Sequence, residues 1–187
     1  MGKTKVSEGA DYRWSSDAEA ARRAAIRQYD GIFAETFDRV SSATSTALID
    51  GSVYYTRLGL TKGDIVANLR CDMGAAGVAT SIGRLALCDK NFNRLAMSGD
   101  LSTVFNSTGE KIAAMVTPGP YTVLDDDQFY AVYFAKTGTT MPGVCRNFAF
   151  AGRGVSCAVL TGQTDVPLTA SPTLGGGSSA PVWIGVS

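Results

Sequence analysis

A chain of 187 residues suits one domain, with an appendage at most, and can bury about 70% of its unfolded surface. Charged residues are only 18% and glycines number 21, a composition that favours strands and turns over long solvated helices. Its 17 basic and 17 acidic residues cancel, seven of each falling in residues 1–43, so no basic face is left to displace counterions from phosphates and no nucleic-acid partner is expected.

The segment 1–14 is polar, yet carries Tyr12 and Trp14, two aromatics suited to docking on something else. Its start, Met1-Gly-Lys-Thr-Lys-Val6, lacks the apolar core of a secretory signal and has Val6 where a myristoylation pattern needs Ser or Thr. No apolar run approaches the roughly 20 residues of a membrane span, so a soluble protein is expected, with neither membrane nor signal peptide. Ser16-Asp-Ala-Glu19 forms a capping box, which predicts a helix from Ser16 to about Ser42. Ile26, Tyr29, Phe33, Phe37 and Val40 make one apolar stripe on it, and Glu19 with Arg23 and Glu35 with Arg39 are i,i+4 pairs. The stripe needs a partner: its own β domain, copies of itself, or another protein. The polar link Ser41–Thr46 sets a boundary at residue 43, giving an attachment or oligomerisation arm, 1–43, and a β domain, 44–187.

The first predicted strand is Val53–Leu58. Ile65, Ala67, Leu69, Cys71 and Met73 then alternate with Val66, Asn68, Arg70 and Asp72, the period of a strand with one buried face. Ile82–Cys88 and Arg94–Ser98 flank the turn-prone Asp89-Lys-Asn-Phe-Asn93 and predict a hairpin. A short turn at Leu101–Phe105 and a strand at Lys111–Val116 follow, ended by Pro118 and Pro120. In Gln128–Ala135, Phe129 and Tyr133 point one way and Tyr130, Val132 and Phe134 the other, so both faces need cover. Further strands are predicted at Arg146–Ala151 and Val155–Leu160. The Gly-, Ser-, Thr- and Pro-rich Gly162–Pro181 cannot hold a core and must run over a surface, before Val182–Val186 adds a last strand. Eight or nine short strands at intervals of about ten residues predict a mainly β chain. The expected architecture is an antiparallel, jelly-roll-like β-sandwich with an N-terminal helical arm and an extended C-terminal segment from about residue 162. Leu69, Cys71, Leu85, Leu87 and Val132 are its expected core.

Chemistry is harder to nominate. Without histidine, the common Ser-His-Asp and Cys-His arrangements are excluded and a zinc site of usual spacing is not expected. Cys71, Cys88, Cys145 and Cys157 contain no Cys-x-x-Cys pair; the reading favoured over a disulfide framework is small buried hydrophobes in a reducing compartment. Asp125-Asp126-Asp127 offers carboxylates for calcium or for a glycosidase, but three adjacent residues entering a strand alternate between faces, and an exposed turn is the better reading. Gly175-Gly-Gly177 has neither the preceding strand nor the following Lys-Ser/Thr of a phosphate loop. Tyr54, Tyr55, Tyr121 and Tyr130 offer stacking platforms for sugars if exposed, and ordinary core if not. No catalytic residue, metal ligand or cofactor is assigned.

Three stretches carry a resemblance: Tyr54-Tyr-Thr-Arg-Leu-Gly-Leu-Thr-Lys-Gly-Asp-Ile65, Leu85-Ala-Leu-Cys-Asp-Lys-Asn-Phe-Asn-Arg-Leu95 and Pro120-Tyr-Thr-Val-Leu-Asp-Asp-Asp-Gln-Phe-Tyr-Ala-Val-Tyr133. Over roughly Leu48 to Leu160 the chain resembles small β-sandwich domains of tailed-bacteriophage structural proteins, found in head fibres, decoration proteins and tail appendages. The resemblance implies a non-enzymatic virion protein, an oligomer and expectedly a trimer, assembled in the host bacterial cytoplasm. It implies contacts with capsid, neck or tail proteins, and a host cell-surface glycan as a possible ligand of an adhesion role. A carbohydrate-binding module is the rival reading and a glycosidase-like enzyme the third. Attachment is assigned to Tyr12, Trp14, Ile26, Tyr29, Phe33, Phe37 and Val40.

Overall fold

The computed structural model describes residues 31–37, 44–125, 127–146, 157–174 and 181–187. The chain divides into two compact units, residues 1–33 and 34–187. In the second, strands β1 (Ala34–Glu35), β2 (Thr44–Ala47), β3 (Ser52–Leu60), β4 (Ile65–Val66), β5 (Asn68–Ala75), β6 (Val78–Cys88) and β7 (Arg94–Ser98) precede a 3-10 turn at Val104–Asn106. After it come β8 (Gly109–Thr117), β9 (Tyr121–Thr122), β10 (Asp127–Thr140), β11 (Gly143–Arg146), β12 (Cys157–Leu160), β13 (Thr173–Leu174) and β14 (Ile184–Val186). The unit is mainly β, and its strands pair antiparallel.

One half of the main sheet runs β1-β14-β5-β8, with β11 sharing the β14 edge of β5 and carrying β2 outside it; the other half runs β7-β6-β10-β3-β12-β13. Strand β8 pairs with β5 on one side and β7 on the other, joining the halves. Contacts cross between them: the amide of Val182 donates to Thr56 Oγ1 at 3.1 Å, and the Arg146 guanidinium lies 5.5 Å from the centre of the Tyr54 ring. The expected core is in place, since Leu69, Cys71, Leu85, Leu87 and Val132 are all fully buried. The predicted hairpin is β6–β7, with Ala86 opposite Met97 and Cys88 opposite Arg94. Its turn is held by the Asp89 carboxylate, which accepts from the amides of Asn91 and Asn93, both at 2.8 Å, and from the side chain of Asn93.

Strand β10 sits between β6 and β3 and is covered on both faces by its own chain, with Ala131 through Ala135 fully buried. On one face Tyr133 stacks on Phe105, ring centres 5.2 Å apart. On the other, Tyr130, Val132 and Phe134 join Val53, Tyr55, Ala86 and Ala158 in a cluster closed by Val166 and Ala170. The segment after β12 is thus a strap across the outer face of the sheet, as its composition required. Arg84 clamps Asp165 through two bonds of 3.2 and 3.3 Å, Arg94 Nη1 donates to the Val166 carbonyl at 2.6 Å, and the Gln163 amide donates to the Gly51 carbonyl at 2.7 Å. The two-sided aromatic strand therefore needs no second subunit to cover it.

Two expectations are corrected here. The helix does not reach Ser42: Gly31 has φ +65°, outside right-handed helical space, and Ala34–Glu35 form a strand against Val186 and Gly185. Thr36 completes that pairing, its amide donating to the Ile184 carbonyl at 3.0 Å. Residues 34–37, assigned by the sequence to the arm, belong to the β unit, while 1–30 and 38–43 lie outside the described residues. The alternation 65–73 also breaks at Ala67. Val66 is fully buried and Ile65 is 56% exposed, because one extra residue between β4 and β5 reverses the parity that Leu69, Cys71 and Met73 obey.

Candidate functional site

Of the residues assigned to attachment, Tyr12, Trp14, Ile26, Tyr29 and Val40 lie outside the described residues. Phe33 and Phe37 are described and both are buried. Among the described residues, these two side chains therefore offer no exposed docking surface. The sugar platforms fare similarly: Tyr54, Tyr55 and Tyr130 are buried, and Tyr121 is half-buried beside Phe129. Tyr130 stacks on Phe92 at 4.5 Å and its hydroxyl accepts from Gln128, so its ring face is already used.

Asp125 and Asp127 are exposed, as read from sequence, and each faces a lysine: Lys62 lies 3.9 Å from Asp125 and Lys90 lies 2.8 Å from Asp127. The hydrogen bond from Lys90 holds the Asp127 carboxyl below the usual carboxylate range, opposite to the raised value a glycosidase acid requires. Among the described residues no three His, Cys, Asp or Glu side chains converge as metal ligands. None of their helices is long and apolar enough to cross a membrane.

Burial shifts several other ionisable groups. Burial, reinforced by the neighbouring Asp89 carboxylate, pushes the Cys88 thiol up to about 12, and burial pushes Cys157 up to about 11. Burial also raises Cys71, Tyr55 and Tyr133. These groups are held neutral in the fold but ionise in the unfolded chain near pH 8.5 for Cys and 10 for Tyr. Their contribution is complete below those values and is lost as pH rises through the folded ones. We expect the unfolding free energy to decline from about pH 8.5 towards pH 12, with the ionisation of Tyr55 and Tyr133 appearing together with unfolding. Thermal melts that stay level up to about pH 11 would contradict this.

What the surface does offer is an apolar ribbon. Strand β8 buries Ala113 and Met115 but exposes Ile112 (56%), Ala114 and Val116 (54%) on its other face. The ribbon continues where β4 pairs with β9: Ile65 lies opposite Thr122, and Ile65 (56%) and Leu124 (66%) are both exposed. Four of the seven large apolar side chains exposed among the described residues thus belong to β4, β8 and the stretch just past β9. Beside the ribbon, Arg70 pairs with Glu110 at 3.5 Å and Asn68 lies opposite Ala114, so the rim is polar and locally neutral. This surface was not legible: Ile112-Ala-Ala-Met-Val116 is apolar at every position and reads as a strand buried on both faces.

No protein-family model matches the chain, and a search of curated proteins finds no relative.

Proposed function

We propose that this chain is a non-enzymatic structural protein of a bacteriophage virion, an oligomeric appendage on head or tail, built as a β-sandwich. The observation that carries the reading is the grouping of apolar side chains more than half exposed, Ile112 and Val116 on β8 with Ile65 on β4 and Leu124 just past β9, beside a polar rim. Grouped exposure of this kind marks a surface that meets another protein, whereas scattered exposure does not. The antiparallel strands, the buried tyrosines and the lysine-paired aspartates support a scaffold rather than a sugar-stacking or acid-base site. The resemblance of residues 48–160 to phage structural domains supplies the setting.

On this reading the ribbon joins copies of the chain. The Ile112→Glu, Val116→Glu double variant is expected to keep its fold, because both side chains already face water, and to lose oligomerisation and incorporation into particles. Light scattering and the protein content of purified particles measure the two. Unchanged oligomeric mass, or a double variant found in particles at the original level, would count against the ribbon. Absence of the unaltered protein from purified particles would count against the virion reading itself.

A further inference from the structure

Residues 181–187, Pro-Val-Trp-Ile-Gly-Val-Ser, are inserted between strands on both edges. On one edge Ile184, Gly185 and Val186 lie opposite Cys71, Arg70 and Leu69, and Ser187 exchanges two backbone bonds with Asn68 at 2.7 and 3.1 Å. On the other edge Gly185 and Val186 lie opposite Glu35 and Ala34. Thr36 clamps the segment twice more, its hydroxyl donating to the Val182 carbonyl and accepting from the Ile184 amide, both at 3.0 Å. The amide of Trp183 donates to the Cys145 carbonyl at 3.0 Å, and its indole Nε1 donates to Glu35 Oε2 at 3.1 Å. Val182, Trp183, Ile184 and Val186 are fully buried. The rest of the unit forms a groove with seven residues' worth of matched donors, acceptors and apolar pockets.

The chain leading into this groove holds on elsewhere. The strap is fixed independently by Arg84–Asp165 and by Arg94 on the Val166 carbonyl. Between Leu174 and Pro181 the sequence is Gly-Gly-Gly-Ser-Ser-Ala, with no side chain larger than serine to anchor the connection. A strand whose contacts are all its own, joined through residues that contribute no large side chain, makes the same contacts whichever copy supplies it. Only the effective concentration set by the connection decides between them.

We propose that the groove formed by β1, β5, β11 and Thr56 is a strand-acceptor site that takes residues 181–187 of a second copy when the chain's own connection cannot deliver them. The inference rests on the reading that copies of this chain associate. Its test is therefore made on the Ile112→Glu, Val116→Glu background, so that failure of the ribbon and failure of the groove are read separately.

Deleting residues 175–180 leaves Leu174 and Pro181 about 3.8 Å apart, although they belong to different halves of the sheet. The strand then cannot reach its own groove. The expected result is a shift from one copy to closed dimers or larger rings in light scattering, reversed to single copies by excess synthetic peptide 181–187. The same peptide with Trp183→Ala should need at least about 100-fold more for the same effect, the loss expected for truncating a fully buried indole. A deletion chain that stays folded as a single copy, or one that unfolds and is not refolded by the peptide, overturns the proposal. One that unfolds and is refolded by the peptide upholds it.

Discussion

Leu87→Ala is expected to lower the unfolding free energy by about 2–5 kcal/mol, towards the upper end of that range. Leu87 is fully buried on β6, with Ala131 of β10 opposite on one side and Ala96 of β7 on the other. Neither alanine has side chain to spare, so the space left by three deleted carbons stays open and its lining loses dispersion contacts outright. Leu168→Ala, at a side chain 67% exposed, is the control and should stay within about 0.5 kcal/mol. Urea denaturation with an unchanged slope would read both. A loss under about 1 kcal/mol at Leu87 would mean that β6 does not present this face to the core.

Sequence periodicity revealed most of the strands because a period of two survives wherever one face is buried and the other is wet. The alternation at 69–73 and the turn wording of Asp89–Asn93 predicted buried sets and a hairpin that the structure contains. The same signal misled at 31–37. Phe33 and Phe37 are four apart, a spacing that a helix and a strand both place on one side, and long-range bonds from Thr36 to Val182 and Ile184 decide the matter in favour of extended chain. Their partners lie 146 and 148 residues away, beyond any local pattern.

The cover of β10 was half legible. Its two apolar faces announced a need, and the composition of 162–181 announced a segment obliged to lie on a surface, but that one answers the other depends on the Arg84–Asp165 clamp and on Val166 reaching the cluster of Tyr55 and Val132. The ribbon was illegible for the opposite reason. A run apolar at every position carries no parity, so the sequence holds no mark of which face of β8 stays in water.

Gly83 is another position whose constraint no periodicity reports, and Gly83→Ala is expected to cost about 1–3 kcal/mol. A Cβ on Gly83 would stand 2.7 and 2.9 Å from two ring carbons of Phe105 and 3.0 Å from the backbone carbon of Leu101. Neither neighbour can retreat. The Phe105 ring is fully buried and stacked on Tyr133 at 5.2 Å, and the turn carrying it is tied to β6 by the Leu101 amide donating to the Gly83 carbonyl at 2.9 Å. The Gly83 amide in turn donates to Asp100 Oδ1 at 3.0 Å. Moving the ring would therefore disturb the far face of β10 or break these backbone ties, and either exceeds the few tenths of a kcal/mol that a methyl gains by restricting the unfolded chain. The cost should belong to the pair. In a double-mutant cycle, Gly83→Ala should be much less costly in a Phe105→Leu background, where the ring is gone, than in the unaltered protein. Equal losses in the two backgrounds would place the clash on the Leu101 backbone, and no loss in either would mean that the 100–106 turn does not pack on β6 as described.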